Sequence, residues 1–326
     1  MLDVLASEEL PAPASTDKLP PAPALQACAR AAPAQTGVYL FRDAAARPLY
    51  IGKSVNLRSR IQAHLRNPDE ARMLHAAQDV VWQLCAGETA ALLLEADLIK
   101  RWQPEHNILL RSARSLCSLQ LDQDGARLVS AREYDFASSP DLYGLFSGKT
   151  RAFAALRELL EAHALCPQLC GLEPRIHGRP CFSHQIGRCR GACAGVESSA
   201  EHQARLRAAL HDMRLLVWPF EGPILISEGD AAWRQHQVVD KWCWLGWIDE
   251  GARPAPPLAQ CLEHKKSRRA GFDADIYRIL LKPLLSGKLD IRAAPPDWRT
   301  QLAHPAPAAA APRPRKEKAH EASRAG

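Results

Sequence analysis

Between residues 37 and 103 apolar positions first alternate and then recur every three to four residues. GVYLF (37–41) and PLYIG (48–52) have the alternation and aromatic content of strands, and the RDAAAR between them suits an antiparallel hairpin. Leu57, Ile61 and Leu65 repeat at i, i+4 and i+8, which predicts a helix over about 57–66, capped by Asn56 and ended at Asn67-Pro68. A short helix over 69–77, a strand over DVVWQLCA (79–86) and a strong helix over ETAALLLEADLIKRWQ (88–103), stopped by Pro104, complete the run. The order β-β-α-α-β-α predicts a small unit built on a three-stranded antiparallel sheet with flanking helices.

Beyond 113 the pattern is weaker. SLCSLQL and ARLVSAREY read as a second strand pair, RAFAALRELLEAHAL (151–165) as a helix, and a long helix follows at about 199–215. Residues 218–290 alternate apolar strands with loops and hold five tryptophans. Trp242, Trp244 and Trp247 read as core, and Asp273 with Asp275 as a helix start. The two ends are rich in Pro and Ala and lack period. The fold class expected is α+β. It comprises an unordered leader (1–32), a first domain (33–112), a middle region with clustered cysteines (113–195), a small C-terminal α/β domain (196–295) and an unordered basic tail (296–326).

Charge sharpens this picture. The net charge of the 326 residues is +6, and 313–324 carry five basic and two acidic side chains. Lys53, Arg58, Arg60 and Arg66 fall in a stretch with no acid, which suits a polyanionic partner. MLDVLASEELPAPAS lacks the basic start and apolar run of a signal peptide, and no stretch approaches the ~20 apolar residues of a membrane span. A cytoplasmic protein with no membrane partner is expected. Ten cysteines then point to thiols and metal rather than disulfides.

The first domain carries the candidate chemistry. GKS at 52–54 is not a phosphate loop, because Arg47 stands where that motif needs glycine. Arg60 and His64 are four apart and share a helical face. Glu95 lies within LLLEADLI, where an unpaired buried charge is costly. Either it sits at the stripe's edge and pairs with Lys53 or an arginine, or it binds a hard divalent cation. Two phenols (Tyr39, Tyr50), Lys53, Arg60, His64, Glu95 and Asn107 are the parts needed to hydrolyse a phosphodiester. A cation on Glu95 would polarise the phosphate, Arg60 and Lys53 would stabilise transition-state charge, and a phenol or His64 would take the proton of water. Singly, each side chain has an ordinary reading, such as packing tyrosines or a solvated lysine.

Their order and spacing resemble the GIY-YIG nuclease superfamily. YIGKSVNLRSRIQAHLR, GETAALLLEADLIK and PEHNILL are similar to the N-terminal nuclease of the UvrC excision-repair family. That resemblance implies one Mg²⁺ or Mn²⁺ bound by Glu95, and roles for Tyr39, Tyr50, Gly52, Lys53, Arg60 and Asn107. His64 departs from the family, which typically has tyrosine there.

Cys166, Cys181, Cys189 and Cys193 are separated by 14, 7 and 3 residues. Four thiolates at these intervals can hold a tetrahedral Zn²⁺ or an iron–sulfur cluster, with Cys170 a fifth candidate and His177 and His184 close enough to compete. Arg179, Arg188 and Arg190 interleave them, as in a metal-stapled loop that touches DNA phosphates. Here the UvrC resemblance continues, and it implies a 4Fe-4S cluster on those four cysteines with Cys170 a bystander.

WPFEGPILISEG, KWCWLGW and GFDADIYRILLKPLLSGKLDI resemble the excinuclease Cho family of short UvrC homologues, over roughly 33–292. This implies a monomer that cuts damaged double-stranded DNA 3′ to a lesion, on DNA prepared by UvrA and UvrB. Two competing readings are a GIY-YIG nuclease for another substrate and a metal-stapled DNA-binding protein that does not cut. The cysteine cluster opposes the first, and the intact set of nuclease residues opposes the second.

Overall fold

A computed structural model describes residues 22–107, 116–122, 125–175, 179–252 and 271–303. The leader up to residue 21, the tail from 304 and His177 lie outside the described residues.

The first sheet has the order β2-β1-β3, with β1 (Gly37–Arg42) paired antiparallel to both β2 (Pro48–Ser54) and β3 (Asp79–Leu84). As the central strand, β1 is buried on both faces, and alternate residues enter different cores. Tyr39 and Phe41 pack with α1 (Pro23–Ala31), α2 (Leu57–Arg66) and α3 (Ala71–Ala76), while Val38 and Leu40 pack against α4 (Glu88–Trp102).

Helix α1 corrects the expected unordered leader. Its composition is of low complexity, but Leu25 and Ala29, one turn apart, are fully buried in the core behind Tyr39. Asn56 caps α2 as expected, accepting from Ser59 N–H at 3.0 Å. The third buried position of α2 is His64 rather than Leu65. At about 100° per residue, i+7 falls about 20° from the first stripe residue and i+8 about 80°. Helix α4 is buried on more than one stripe, with Ala90, Ala91, Leu93, Leu94 and Leu98 covered and Leu92 only half-buried. It lies between two bodies, so its apolar surface exceeds one face.

The middle region has β4 (Cys117–Asp122), β5 (Gly125–Ser130) and β6 (Leu142–Phe146) in the order β5-β4-β6. Helices α5 (Lys149–Ala162), α6 (Phe182–Gln185) and α7 (Ser199–Leu210) follow. Leu206 and Leu210 of α7 share a core with Leu119, Leu121, Leu156 and Leu160. The boundary expected at 195 therefore falls after α7, because that helix buries its apolar face in the middle region.

The C-terminal sheet is antiparallel, order β10-β7-β8-β9, from β7 (Ile224–Gly229), β8 (Trp233–Asp240), β9 (Cys243–Gly251) and β10 (Asp290–Ala293), with α8 (Ala274–Leu285) between the last two strands in sequence. Trp242, Trp244 and Trp247 are core, and Trp242 meets Trp218 and Tyr277 edge to face. Their core is continuous with Val38, Leu40, Ile51 and α4 of the first domain. Asp273 caps α8 and, with Asp275, pairs with Lys100 of α4, so the two aspartates form a helix start. Among the described residues no helix is long and apolar enough to cross a membrane.

Candidate active site and cysteine centre

Strand register sets Tyr39 opposite Gly52. A Cβ on Gly52 would lie 2.4 Å from the Tyr39 hydroxyl oxygen, so the phenol reaches its place only because that position is glycine. The Tyr39 hydroxyl lies 2.6 Å from His64 Nε2 and accepts from Arg60 Nε–H at 3.4 Å. On the other side of the ring, His64 Nδ1 contacts the Glu70 carboxylate. That contact favours the Nδ1–H tautomer, which leaves Nε2 to accept from the tyrosine.

Burial, and then the neighbouring Tyr50, push the Tyr39 phenol well above its ordinary range, with Arg60 opposing. Burial likewise lowers the His64 imidazole, with Glu70 opposing. At neutral pH the pair is thus a phenol facing a neutral imidazole. Tyr50 is half-buried and flanks both rings, at centroid distances of 6.1 Å and 5.4 Å. Glu70 has no separate signal in the sequence. The turn after α2, where the Asn67 side chain accepts from Asp69 N–H, folds it back onto the histidine.

The site wraps around β2, the edge strand. Glu95, on α4, accepts from Lys53 N–H at 3.0 Å through Oε1 and forms no ion pair among the described residues. Burial pushes its carboxyl up to about 7, with the Lys53 N–H, Lys53 and Arg60 opposing. The Lys53 ammonium pairs instead with Glu88, on the same face of α4 but about two turns nearer its start. The pairing of Glu95 with the lysine side chain, one of the two readings of the sequence, is therefore absent. A half-buried carboxylate without a cation partner fits a hard divalent ion, which for Mg²⁺ needs only one or two protein carboxylates beside water and phosphate.

Asn107 does not point its amide at the other candidates. Its Oδ1 accepts from Ile51 N–H at 2.9 Å and its Nδ2 donates to Ile51 C=O at 2.8 Å, extending the β2 edge as another strand would. It holds the strand that carries Tyr50, Gly52 and Lys53. Arg58 donates from Nε to Ala32 C=O, and Arg66 from Nε to Gln62 C=O, and both residues are exposed.

In the middle region the sulfurs of Cys166, Cys181, Cys189 and Cys193 lie within 4.8 Å of one another, with Cys166 and Cys181 at 3.9 Å. Three backbone N–H groups point at sulfur: Cys181 to Cys193 and His184 to Cys181 at 3.3 Å, and Gly191 to Cys189 at 3.4 Å. Burial pushes the Cys166 thiol up to about 12 and Cys181 higher still. Cys193 moves the other way: burial raises it, but hydrogen bonds from Cys181 and Cys166 outweigh that. Crowded thiols cannot all ionise unless a cation compensates them, so this donor set fits a metal. Cys170 packs in the apolar core of the middle region, outside the four, and His184 Nδ1 is engaged with Cys189 C=O. His202, which the sequence did not single out, accepts from Cys166 N–H at 3.0 Å and ties α7 to the centre. Arg179, Arg188 and Arg190 are exposed around it.

Three family profiles match the chain: UvrC-like GIY-YIG domain at 35–108, UvrC/Cho excinuclease middle domain at 116–212, and excinuclease Cho C-terminal domain at 223–297. The excinuclease Cho of Shigella flexneri is 44% identical over 265 residues, covering 81% of this chain and 87% of that protein. The excinuclease Cho of Salmonella typhi is 45% identical over 261 residues, covering 80% and 86%. UvrABC system protein C of Haloarcula marismortui is 35% identical over 177 residues, 52% of this chain and 30% of that protein. A crystal structure of the GIY-YIG N-terminal endonuclease domain of UvrC from Thermotoga maritima, bound to its catalytic divalent cation magnesium, is 29% identical. It covers 26% of this chain and 94% of that one, with a TM-score of 0.24.

Proposed function

The chain belongs to the excinuclease Cho family, a group of GIY-YIG endonucleases of nucleotide excision repair, and from that premise we propose that it cuts damaged double-stranded DNA 3′ to the lesion. The observation that carries the reading is the convergence at β2 of an unpaired carboxylate, Glu95, with a buried chain of proton-handling groups, Tyr39, His64 and Glu70. A divalent cation, Mg²⁺ or Mn²⁺, bound at Glu95 supplies Lewis-acid polarisation of the scissile phosphate.

The side chains divide the remaining work. Arg60, exposed at the mouth, meets the phosphate and stabilises its added charge. Lys53 contributes once the phosphate competes with Glu88 for its ammonium. Tyr50, the phenol that reaches the surface, orients the attacking water. As the water oxygen bonds to phosphorus and the ester P–O bond breaks, the water proton passes to the phenol pair, the Tyr39 proton passes to His64 Nε2, and the leaving oxygen takes a proton from solvent. The imidazolium so formed is stabilised by Glu70. This route needs no free phenolate, in keeping with the raised Tyr39 phenol.

At the cysteine centre, the resemblance to UvrC supports a 4Fe-4S cluster, whereas four sulfurs within 4.8 Å, Cys166 and Cys181 at 3.9 Å, support a single tetrahedral Zn²⁺, whose thiolates stand roughly 3.8 Å apart at the usual Zn–S bond length. In either case the metal staples a loop whose arginines meet DNA phosphates. The protein works as a cytoplasmic monomer on DNA to which UvrB has been loaded by UvrA. Mapping the cut on a lesion-bearing duplex, with and without UvrA and UvrB, tests this. A UvrB-dependent nick 3′ to the lesion is expected, and sequence-specific double-strand cutting would overturn it.

A further inference from the structure

We infer that the C-terminal domain is a positioning device for the nuclease: it clamps α4 on both sides of Glu95 and thereby sets the affinity of the cation site. This rests on the reading of Glu95 as the cation ligand.

The first grip is at the start of the helix. Gly87, the N-cap of α4, supplies no side chain, so the first N–H groups of the helix depend on an outside acceptor. Glu228, on β7, provides it. Its two oxygens accept from Thr89 N–H at 2.9 Å and Ala90 N–H at 2.7 Å, and place a negative charge at the positive end of the helix dipole. Next to it, Gln235 of β8 accepts from Ala86 N–H at 2.9 Å.

The absence of a side chain at Gly87 is what admits the carboxylate. A Cβ there would lie 2.3 Å from Glu228 Cδ and 2.6 Å from its Cβ. The Gly87 φ of −159° is ordinary extended backbone, so the glycine answers to that close approach rather than to backbone conformation.

The second grip is near the end of the helix. Lys100, whose side chain is 4% exposed, pairs with both Asp273 and Asp275 at the start of α8. Glu95 stands between the two grips, about 7.5 Å along the helix axis from Ala90 and about 7.5 Å from Lys100. Between them the apolar surface of α4 is shared by the nuclease sheet and the C-terminal core. Rotation or sliding of α4 would carry Glu95 away from Lys53 N–H, and both grips oppose it.

The test uses the full chain. Binding of Mn²⁺ is read from the loss of the free-ion EPR signal, and nicking is titrated against Mn²⁺, with melting followed by circular dichroism. Glu228→Ala is expected to raise the half-saturating Mn²⁺ on the order of 10-fold, the low end of what losing a direct partner of a ligand costs, since Glu228 acts on Glu95 through the helix. Gly87→Ala keeps the carboxylate in the chain but displaces it, and is expected to raise it as well. Glu228→Gln, which retains one acceptor, should fall between. A role in folding alone would lower the melting temperature and leave Mn²⁺ affinity unchanged in the folded variants, and that result in Gly87→Ala would overturn the clamp. Glu95→Ala separates the two ideas: if it binds Mn²⁺ as tightly as the parent, the assignment of the cation site fails whatever Glu228 does.

Discussion

Tyr39 and His64, 25 residues apart in sequence, meet hydroxyl to imidazole at 2.6 Å inside the first domain. The contact gives the histidine a role that its position on α2 alone does not reveal. A neutral Nε2 can accept from the phenol, and an imidazolium cannot. Because burial lowers the imidazole, the accepting form persists below the ordinary histidine value of about 6.5.

His64→Phe is expected to lower the nicking rate at saturating Mg²⁺ by on the order of 10²–10⁴, the usual share of a proton acceptor. Glu70→Gln removes the group that holds the imidazole up, so its titration should move to still lower pH. NMR titration of the His64 ring reads that shift directly. An unchanged or upward shift would refute the chain Tyr39–His64–Glu70.

Glu95 yields a prediction with a definite sign. Its folded carboxyl titrates at about 7, above the ordinary value, so the folded state binds more protons than the unfolded one between about 4.5 and 7. Stability from this group is therefore fully present at acid pH and lost as pH rises through 7, a cost of about 3 kcal/mol at pH 8. In EDTA at pH 8, Glu95→Gln should melt above the parent, and the gap should close near pH 4.5. Added Mg²⁺ should raise the melting temperature of the parent alone, and the variant should not nick.

Asn107 should behave as a strand clamp. Asn107→Ala leaves Ile51 N–H and C=O unpaired at the β2 edge, a loss of about 1–3 kcal/mol in thermal or urea melts. The rate should fall because Tyr50 and Lys53 ride on that strand. A large loss of rate with unchanged stability would instead return Asn107 to direct contact with substrate.

Much of this site was legible in the sequence because its signals are local. The two strands, the Asn56 cap and the Pro104 stop follow from neighbours within a few residues, and the spacing of Tyr39, Tyr50, Arg60 and Glu95 follows from the elements they stand on. What the sequence withheld is contact made at a distance. Glu70 returns through a turn. Glu228 reaches Thr89 across 139 residues, and Lys100 reaches Asp273 across 173. Helix α1 was hidden by an Ala-rich composition whose two buried residues are few but well placed.

The cysteine centre separates ligand from bystander. Cys166, Cys181, Cys189 and Cys193 each replaced by Ala should release the bound metal, measured by elemental analysis after anaerobic purification. Cys170→Ala should keep it, since that thiol lies in the apolar core. Broad absorption near ~400 nm with iron identifies the cluster, and a colourless protein with one zinc identifies the single ion. Metal retained by Cys181→Ala would remove the four-thiolate assignment.

Arg179, Arg188 and Arg190 are exposed and form no ion pair among the described residues, which bears on how they would bind DNA. An arginine already paired with a carboxylate brings no net positive charge to a phosphate and displaces no cation condensed on the DNA. A free one does, and each phosphate so neutralised contributes about 0.9 to the slope of log affinity against log salt concentration. Replacing both Arg188 and Arg190 with Gln should therefore flatten that slope by about 1.8, measured by fluorescence anisotropy on a lesion-bearing duplex without divalent cation. The same change should leave the metal content intact, because neither guanidinium supports a cysteine. It should also leave the nicking rate at saturating protein near the parent value, because the proposed mechanism assigns the scissile phosphate to Arg60 and not to this pair. Arg60→Gln should show the converse weighting, a slope flattened by only about 0.9 for its single phosphate and a rate lower by at least on the order of 10². An unchanged slope in the double variant would place the DNA path away from the cysteine loop.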